Sequence, residues 1–280
     1  MKLQGPLPLE WICQAQRRLR ALIHRTALVR SATLSEHLGA QVYLKLECLQ
    51  KTGSFKPRGA FNKMLSLTPA ERGRGVVAVS GGNHAQGVAY AAQQLHIAAT
   101  IAMPASTPSN YLEAARRYGA ELALMTDIKA AFAEARRLET EGRVMIHPFD
   151  DPLVAAGQGT IGLEILEDLP NATHVYISIG GGGLITGVAT ALKAVNPSIR
   201  VVGVETHGAD AMAQSLAAGQ LVELPAITSI ARTLGAPKVC EFTMSHVMRL
   251  VDEVTVVDDA STVRAMIFML ERAKLLNEPA

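Results

Sequence analysis

Short apolar runs alternate with stretches of helical periodicity along most of this chain, and few architectures accommodate that alternation. Residues 75–80, 98–103, 122–125 and 144–147 read as buried strands, with helical segments between them that end near Gly119 and Gly142. Strands separated by crossover helices and apolar on both faces belong in a parallel sheet. A second series follows the segment His147-Pro-Phe-Asp-Asp-Pro152. It comprises a helix over 160–168, a strand over 175–179, a helix from Leu184 to Asn196, a strand over 200–205, an irregular stretch over 219–238 and a strand over 254–257. Asp258 or Asp259 can cap a last helix running to about Lys274. Ahead of both series, Trp11, Ile12, Ala15, Leu19 and Leu22 share one helical face, a short helix ends at Gly39, and 42–46 alternates as a strand. At 280 residues the chain exceeds a typical single core. The expectation is an α/β chain of two lobes, with 147–152 crossing between them.

Charge narrows the function classes. The 27 basic and 25 acidic residues are well mixed, and no basic stripe suggests a nucleic-acid partner. No run approaches the roughly 20 apolar residues of a membrane span, and residues 1–11 contain no apolar signal core. Cys13, Cys48 and Cys240 are far apart and lack metal-type spacing, so a cytoplasmic protein with reduced thiols is expected.

Three stretches carry chemistry. In Lys51-Thr-Gly-Ser-Phe-Lys-Pro-Arg-Gly-Ala60, Ser54 can cap a helix that Pro57 suits, which places Lys56 at the helix mouth. The positive helix end and neighbouring Arg58 would disfavour the ammonium, and a neutral lysine can condense with a carbonyl. A plain basic turn is the other reading. Gly180-Gly-Gly-Gly183 exposes backbone N–H groups between a strand and a helix, as a phosphate requires. The Rossmann fingerprint fails there, because Ile185 or Thr186 stands where its last glycine belongs. Glu205 does imitate that fold's ribose-binding acid, so a nucleotide remains an alternative. Ser80-Gly-Gly-Asn-His84 is a second small-residue loop at a helix mouth, suited either to a carboxylate or to a simple turn.

One cofactor unites the three: an aldehyde on Lys56 whose phosphate lies in the glycine run, with a substrate carboxylate near Ser80, Gly81, Asn83 and His84. The motifs Ser54-Phe-Lys-Pro-Arg-Gly59, Gly82-Asn-His-Ala-Gln-Gly87, His147-Pro-Phe-Asp-Asp-Pro152, Ala156-Gly-Gln-Gly-Thr160 and Gly180 to Gly183 resemble those of fold-type II pyridoxal 5'-phosphate (PLP) enzymes. The sequence is most similar to threonine/serine dehydratases and serine racemases. That resemblance implies a tryptophan synthase beta-like α/β fold of two open-sheet domains, 71–147 the smaller and 1–70 with 148–280 the larger, with the cofactor between them, and a homodimer. It also implies that Lys56 is the catalytic residue, holding the cofactor and removing the substrate's α-proton. Phe55 would flank the ring, Asn83 would bond the pyridine 3'-oxygen, and Gly180, Gly181, Gly182, Gly183 and Leu184 would bind the phosphate. The reaction implied is β-elimination of L-threonine or L-serine to a 2-oxo acid and ammonia.

Three departures bear on this. Similar racemases carry an acid/base serine where this chain has Gly81, which cannot move a proton. Glu205 and Ala209 match a divalent-metal pattern whose aspartate is replaced by Ala211, with Asp210 one residue early. An ion and a metal-free loop both stay open. The chain closes at Ala280, where the family continues into a helix, a strand and a loop that bonds the pyridine nitrogen. A racemase and a catalytically silent scaffold are therefore the competing functions.

Overall fold

The computed structural model describes residues 5–280; residues 1–4, the start of the stretch read as lacking a signal core, lie outside it. The first helix α1 (Leu9–Leu19) buries Ile12, Ala15 and Leu19 on the predicted face. A small antiparallel pair follows, β1 (Leu28–Arg30) with β2 (Tyr43–Lys45), flanking α2 (Ala32–Leu38), which ends on left-handed Gly39. Next come α3 (Lys56–Leu65) and α4 (Pro69–Arg74). The first sheet uses β3 (Val76–Val79), β4 (Ala99–Pro104), β5 (Glu121–Met125) and β6 (Val144–Met145) in the order β5-β4-β3-β6, all parallel. Its crossovers are α5 (Asn83–Leu95), α6 (Ser109–Arg117) and α7 (Ile128–Thr140). All four residues of β3 are buried, as a central parallel strand requires.

The long α8 (Pro152–Asp168) leads to a second parallel sheet of β7 (His174–Ser178), β8 (Arg200–Thr206) and β9 (Glu253–Val257), in that order. Between and after these strands lie α9 (Gly183–Val195), α10 (Ala211–Ala218), α11 (Glu241–Leu250) and α12 (Asp259–Phe268), the last capped by Asp258 and extended by a wide turn over Met269–Ala273. The chain has the fold expected from its strand and helix alternation.

Two local expectations need correction. The helix expected from Thr160 begins at Pro152, with the Asp151 carboxylate accepting the Leu153 and Val154 N–H groups. The glycines of Ala156-Gly-Gln-Gly-Thr160 lie inside this helix and let helices touch. A Cβ on Gly157 would lie 2.4 Å from the Arg58 carbonyl oxygen, and one on Gly187 would lie 2.1 Å from that of Ala155. Backbone contact therefore clamps α8 between α3 and α9. Ser54 does not cap α3: the capping position is Phe55, and the Ser54 hydroxyl is buried without a partner. The helices α4, α10 and α11 are too short or too interrupted by small and polar residues to announce themselves by periodicity.

Below α3 lies a buried ionic cluster. The fully buried Arg58 guanidinium is bidentate to Glu164 at 2.7 and 3.0 Å and to Glu47 at 2.7 and 2.8 Å, while Lys45 meets Glu164 at 2.6 Å. Such a cluster contributes little net stability but is strongly destabilising when broken, and so fixes one geometry. Here it ties β2 and α8 to the first turn of α3, the turn that carries Lys56.

Candidate active site

Lys56 is the first residue of α3 and points into a cleft lined by both sheets' loops. Gly87 of α5 sets how closely that turn is approached: a Cβ there would stand 2.9 Å from the Lys56 Cβ. Burial holds the Lys56 amine down to about 8, and the Glu278 carboxylate partly opposes this. Arg58, expected to contribute to that lowering, has no part in it, because its charge is consumed by Glu47 and Glu164. The Phe55 ring lies beside the amine, 4.9 Å from Nζ to its centroid. Two residues before Lys56 and lining the same cleft, the buried hydroxyl of Ser54 has no partner.

Across the cleft the glycine run makes the cradle. Gly182 has φ +91°, the left-handed region that a side chain resists, and it caps α9, a helix of 13 residues that begins at Gly183. The walls are close on all sides. A Cβ on Gly181 would lie 2.0 Å from Cδ1 of Phe149, one on Gly180 2.7 Å from the Leu234 carbonyl oxygen, and one on Gly182 2.8 Å from Cβ of Thr243. Glycine is thus required four times over because neighbouring atoms occupy the side-chain space, and the open side presents N–H groups. Leu184, half-buried, follows in the first turn of α9.

The third element is the turn over Ser80 to His84. The Gly82 N–H donates to Ser80 Oγ at 3.1 Å, which curls the loop, and Asn83 opens α5. His84 is buried, and its Nε2–H donates to the Ile146 carbonyl at 2.8 Å while Nδ1 has no partner. Burial, with the nearby Lys56 charge, pushes its pKa down to about 3. His84 therefore anchors the loop as a neutral group and supplies no cation to a carboxylate. Beside Gly81, the Thr107 hydroxyl would be 2.7 Å from a Cβ at that position.

Fold and cleft fit a known set of proteins. The family described as pyridoxal-phosphate dependent enzyme matches residues 19–280. This chain belongs to that family. Among pyridoxal-phosphate-dependent relatives, an L-threonine ammonia-lyase of Thermotoga maritima is 47% identical over 276 residues, covering 98% of this chain and 69% of that protein. The catabolic L-threonine dehydratase TdcB of Escherichia coli is 41% identical over 277 residues, covering 98% and 84%. The solved structure of maize serine racemase superposes with a TM-score of 0.95 at 39% identity, covering 98% of this chain and 84% of that one. The processed form of threonine deaminase isoform 2 from Solanum lycopersicum gives a TM-score of 0.90 at 36% identity, covering 98% and 83%.

The cleft suits the family's cofactor: a lysine amine held to about 8, the unpartnered Ser54 hydroxyl and a glycine cradle at a helix mouth all line one space. The predicted divalent-metal site is different. Both Glu205 oxygens are taken, by the Met212 N–H at 3.0 Å and the Ala213 N–H at 2.7 Å, so this buried carboxylate caps α10. Among the described residues no group of three or more His, Cys, Asp or Glu side chains could hold a metal ion. Ala209 and Ala211 add no side-chain ligand, and this donor set does not fit a divalent cation. The nucleotide alternative fails for the same reason, since Glu205 of β8 turns inward to the N–H groups of α10.

Sequence reasoning did not find Phe149, Leu234 and Thr243 as walls of the glycine cradle, nor Tyr111, Thr233 and Glu278 in the cleft. Phe149 sits inside a motif quoted for the resemblance, and that was the only signal. The others come from elements distant in sequence and carry no local pattern.

Proposed function

We propose that this protein catalyses PLP-dependent β-elimination of L-threonine, L-serine or a related 3-hydroxy amino acid, giving a 2-oxo acid and ammonia. The observation that carries the reading is Lys56 held to about 8 by burial at the mouth of α3, facing the Gly180 to Gly183 cradle. Relatives named L-threonine ammonia-lyase or dehydratase at 41–47% identity support the same reaction.

Bound PLP supplies an electron sink that makes a weakly acidic α C–H removable near neutral pH. The protein supplies the rest. Backbone N–H groups of Gly180 to Gly183 and the N-terminus of α9 would hold a phosphate dianion, and Leu184 would close that end. Phe55 would pack on one side of the ring, with Asn83 donating to its 3'-oxygen. Lys56, neutral once freed by the substrate amine, would take the α-proton at Nζ, as a base with a pKa near the working pH can. The loop from Ser80 to His84 would present its N–H groups to the substrate carboxylate.

Gly81 favours elimination over racemisation. Racemisation requires a proton delivered to the face opposite Lys56, and Gly81 offers no group that could carry one. Incubating the holoenzyme with L-serine or L-threonine should release 2-oxo acid well in excess of any D-isomer, and Lys56→Ala should abolish turnover while leaving the fold intact by circular dichroism. Mainly D-serine, or a tenth of normal turnover in the variant, would refute the assignment.

Residues 71–147 would form the smaller domain and 1–70 with 148–280 the larger. A homodimer is expected from the resemblance. No helix among the described residues is long and apolar enough to cross a membrane. A cytoplasmic location agrees with the free thiols of Cys13, Cys48 and Cys240, the last pushed up to about 11 chiefly by burial.

A further inference from the structure

The segment that joins the two sheets runs from Ile146, just past β6, to Asp151 before α8, and it carries Phe149, a wall of the glycine cradle. Both ends are anchored. The Ile146 carbonyl accepts from His84 Nε2 at 2.8 Å, and Asp151, while capping α8, forms an ion pair with Lys63 of α3 at 2.6 Å. Between these anchors the backbone turns, and a side chain closes the turn. The Asp150 N–H donates to His147 Nδ1 at 2.8 Å, and the Phe149 N–H donates to the same nitrogen at 3.3 Å.

A ring nitrogen that accepts two N–H groups must keep its lone pair, so this imidazole is neutral and carries its proton on Nε2. Its surroundings agree. Burial holds the His147 pKa below the ordinary histidine value; the Asp150 and Asp151 carboxylates oppose this, and the Lys56 charge adds to it. His84 of α5, the other imidazole nearby, is held neutral as well, and α7 contributes the uncharged Phe132 ring with its centroid 6.2 Å away. The imidazole also stands edge-on to Phe149, the centroids 4.7 Å apart and the planes at 86°. Both the backbone and the ring of Phe149 are thus located by His147. What Phe149 meets is glycine: a Cβ on Gly183 would lie 2.9 Å from its Cα, and one on Gly181 would lie 2.0 Å from its Cδ1.

We propose that His147 is a positioning residue for the cofactor's phosphate: by holding the Phe149 and Asp150 N–H groups, its Nδ1 sets the wall on which Gly181 and Gly183 of the cradle rest. The proposal rests on the reading of the glycine run as the phosphate site and extends it to a residue that acts through Phe149. N–H groups hold a phosphate only when they converge on it, and the backbone that aims them is packed against that wall. The turn is one that an asparagine can also close, since its Oδ1, like Nδ1 of histidine, is bonded to Cγ and can accept the same N–H groups. Glutamine carries the same amide one methylene too far out.

The test uses the full chain freed of cofactor and reads, by absorbance titration, the binding of PLP and of pyridoxal, which lacks the phosphate. His147→Asn should bind PLP within about threefold of wild type, whereas His147→Gln and His147→Phe should bind it about tenfold more weakly, as expected when buried donors lose their acceptor. Pyridoxal should bind wild type and all three variants within about twofold of one another, because it makes no use of the cradle. A residue needed only for folding would weaken both ligands alike, and would not be rescued by the shorter amide over the longer one. Equal PLP affinity in the Asn, Gln and Phe variants, or a loss shared by pyridoxal, would overturn the proposal. If PLP affinity followed the expected order but wild type released no ammonia from L-threonine, His147 would keep this role and the elimination reading would fall. Ordinary ammonia release with PLP affinity indifferent to His147 would leave that reading standing and remove this one.

Discussion

The lowered pKa of Lys56 has a direct consequence for the cofactor-free protein. A drop from 10.5 to about 8 through burial disfavours the ammonium by about 3.4 kcal/mol, taking 1.36 kcal/mol per tenfold step. At pH 7.5 about a quarter of the molecules would then carry a neutral amine, against about one in a thousand for an ordinary lysine, a ratio of about two hundred. The sign for stability follows: the folded state releases this proton at lower pH than the unfolded chain. The cost is thus fully present below about pH 8 and disappears as pH rises from there toward 10.5. Glu278 opposes the lowering, so Glu278→Gln should move the midpoint below 8. Trace acetylation between pH 5.5 and 10.5, followed by peptide mass spectrometry with exposed Lys129 as the internal reference, reads the titration directly. The reactivity of Lys56 should level off above about 8.5. A rise that continues past pH 10, or a midpoint unaffected by Glu278→Gln, would show that burial does not control the amine.

Gly181→Ala should weaken PLP binding at least tenfold, because its Cβ would fall 2.0 Å from the Phe149 ring and push the cradle open; titration by absorbance measures it. Glu205 is held up to about 7 by burial despite its two N–H donors, so it costs stability as pH rises from about 4.5 through 7 and the cost stays constant above that. In Glu205→Gln the difference from wild type in urea-unfolding free energy should therefore change across that window, by about 3 kcal/mol, and a constant difference would refute the assignment. Gly81→Ser alone should yield no appreciable D-serine, since the new Cβ meets Thr107 Oγ1 at 2.7 Å, whereas adding Thr107→Ala makes room for the hydroxyl. Comparable D-serine from the single and double variants, measured by chiral chromatography, would show that Thr107 does not obstruct that position.

The sequence by itself determined the α/β alternation, the parallel sheets and the position of Lys56 at the mouth of α3. Each of these follows from short-range rules: buried parallel strands are continuously apolar, Pro suits a first helical turn, and consecutive glycines leave N–H groups bare. Why those glycines are obligatory was decided only in three dimensions, since Phe149, Leu234 and Thr243 fill the side-chain space from other parts of the chain. The same holds for Ala156-Gly-Gln-Gly-Thr160, a motif whose glycines serve as a helix-packing surface only in the fold. Electrostatics diverged most. Arg58 stands two residues from Lys56 and was the obvious cause of a lowered amine, yet Glu47 and Glu164, 11 and 106 residues away, take up its charge. Glu205 and Ala209 lay in a metal-like spacing, but the carboxylate found two backbone donors of α10 first. A pKa or a ligand set depends on what surrounds a group within a few ångströms, and in a folded chain those neighbours are chosen by packing between elements far apart in sequence.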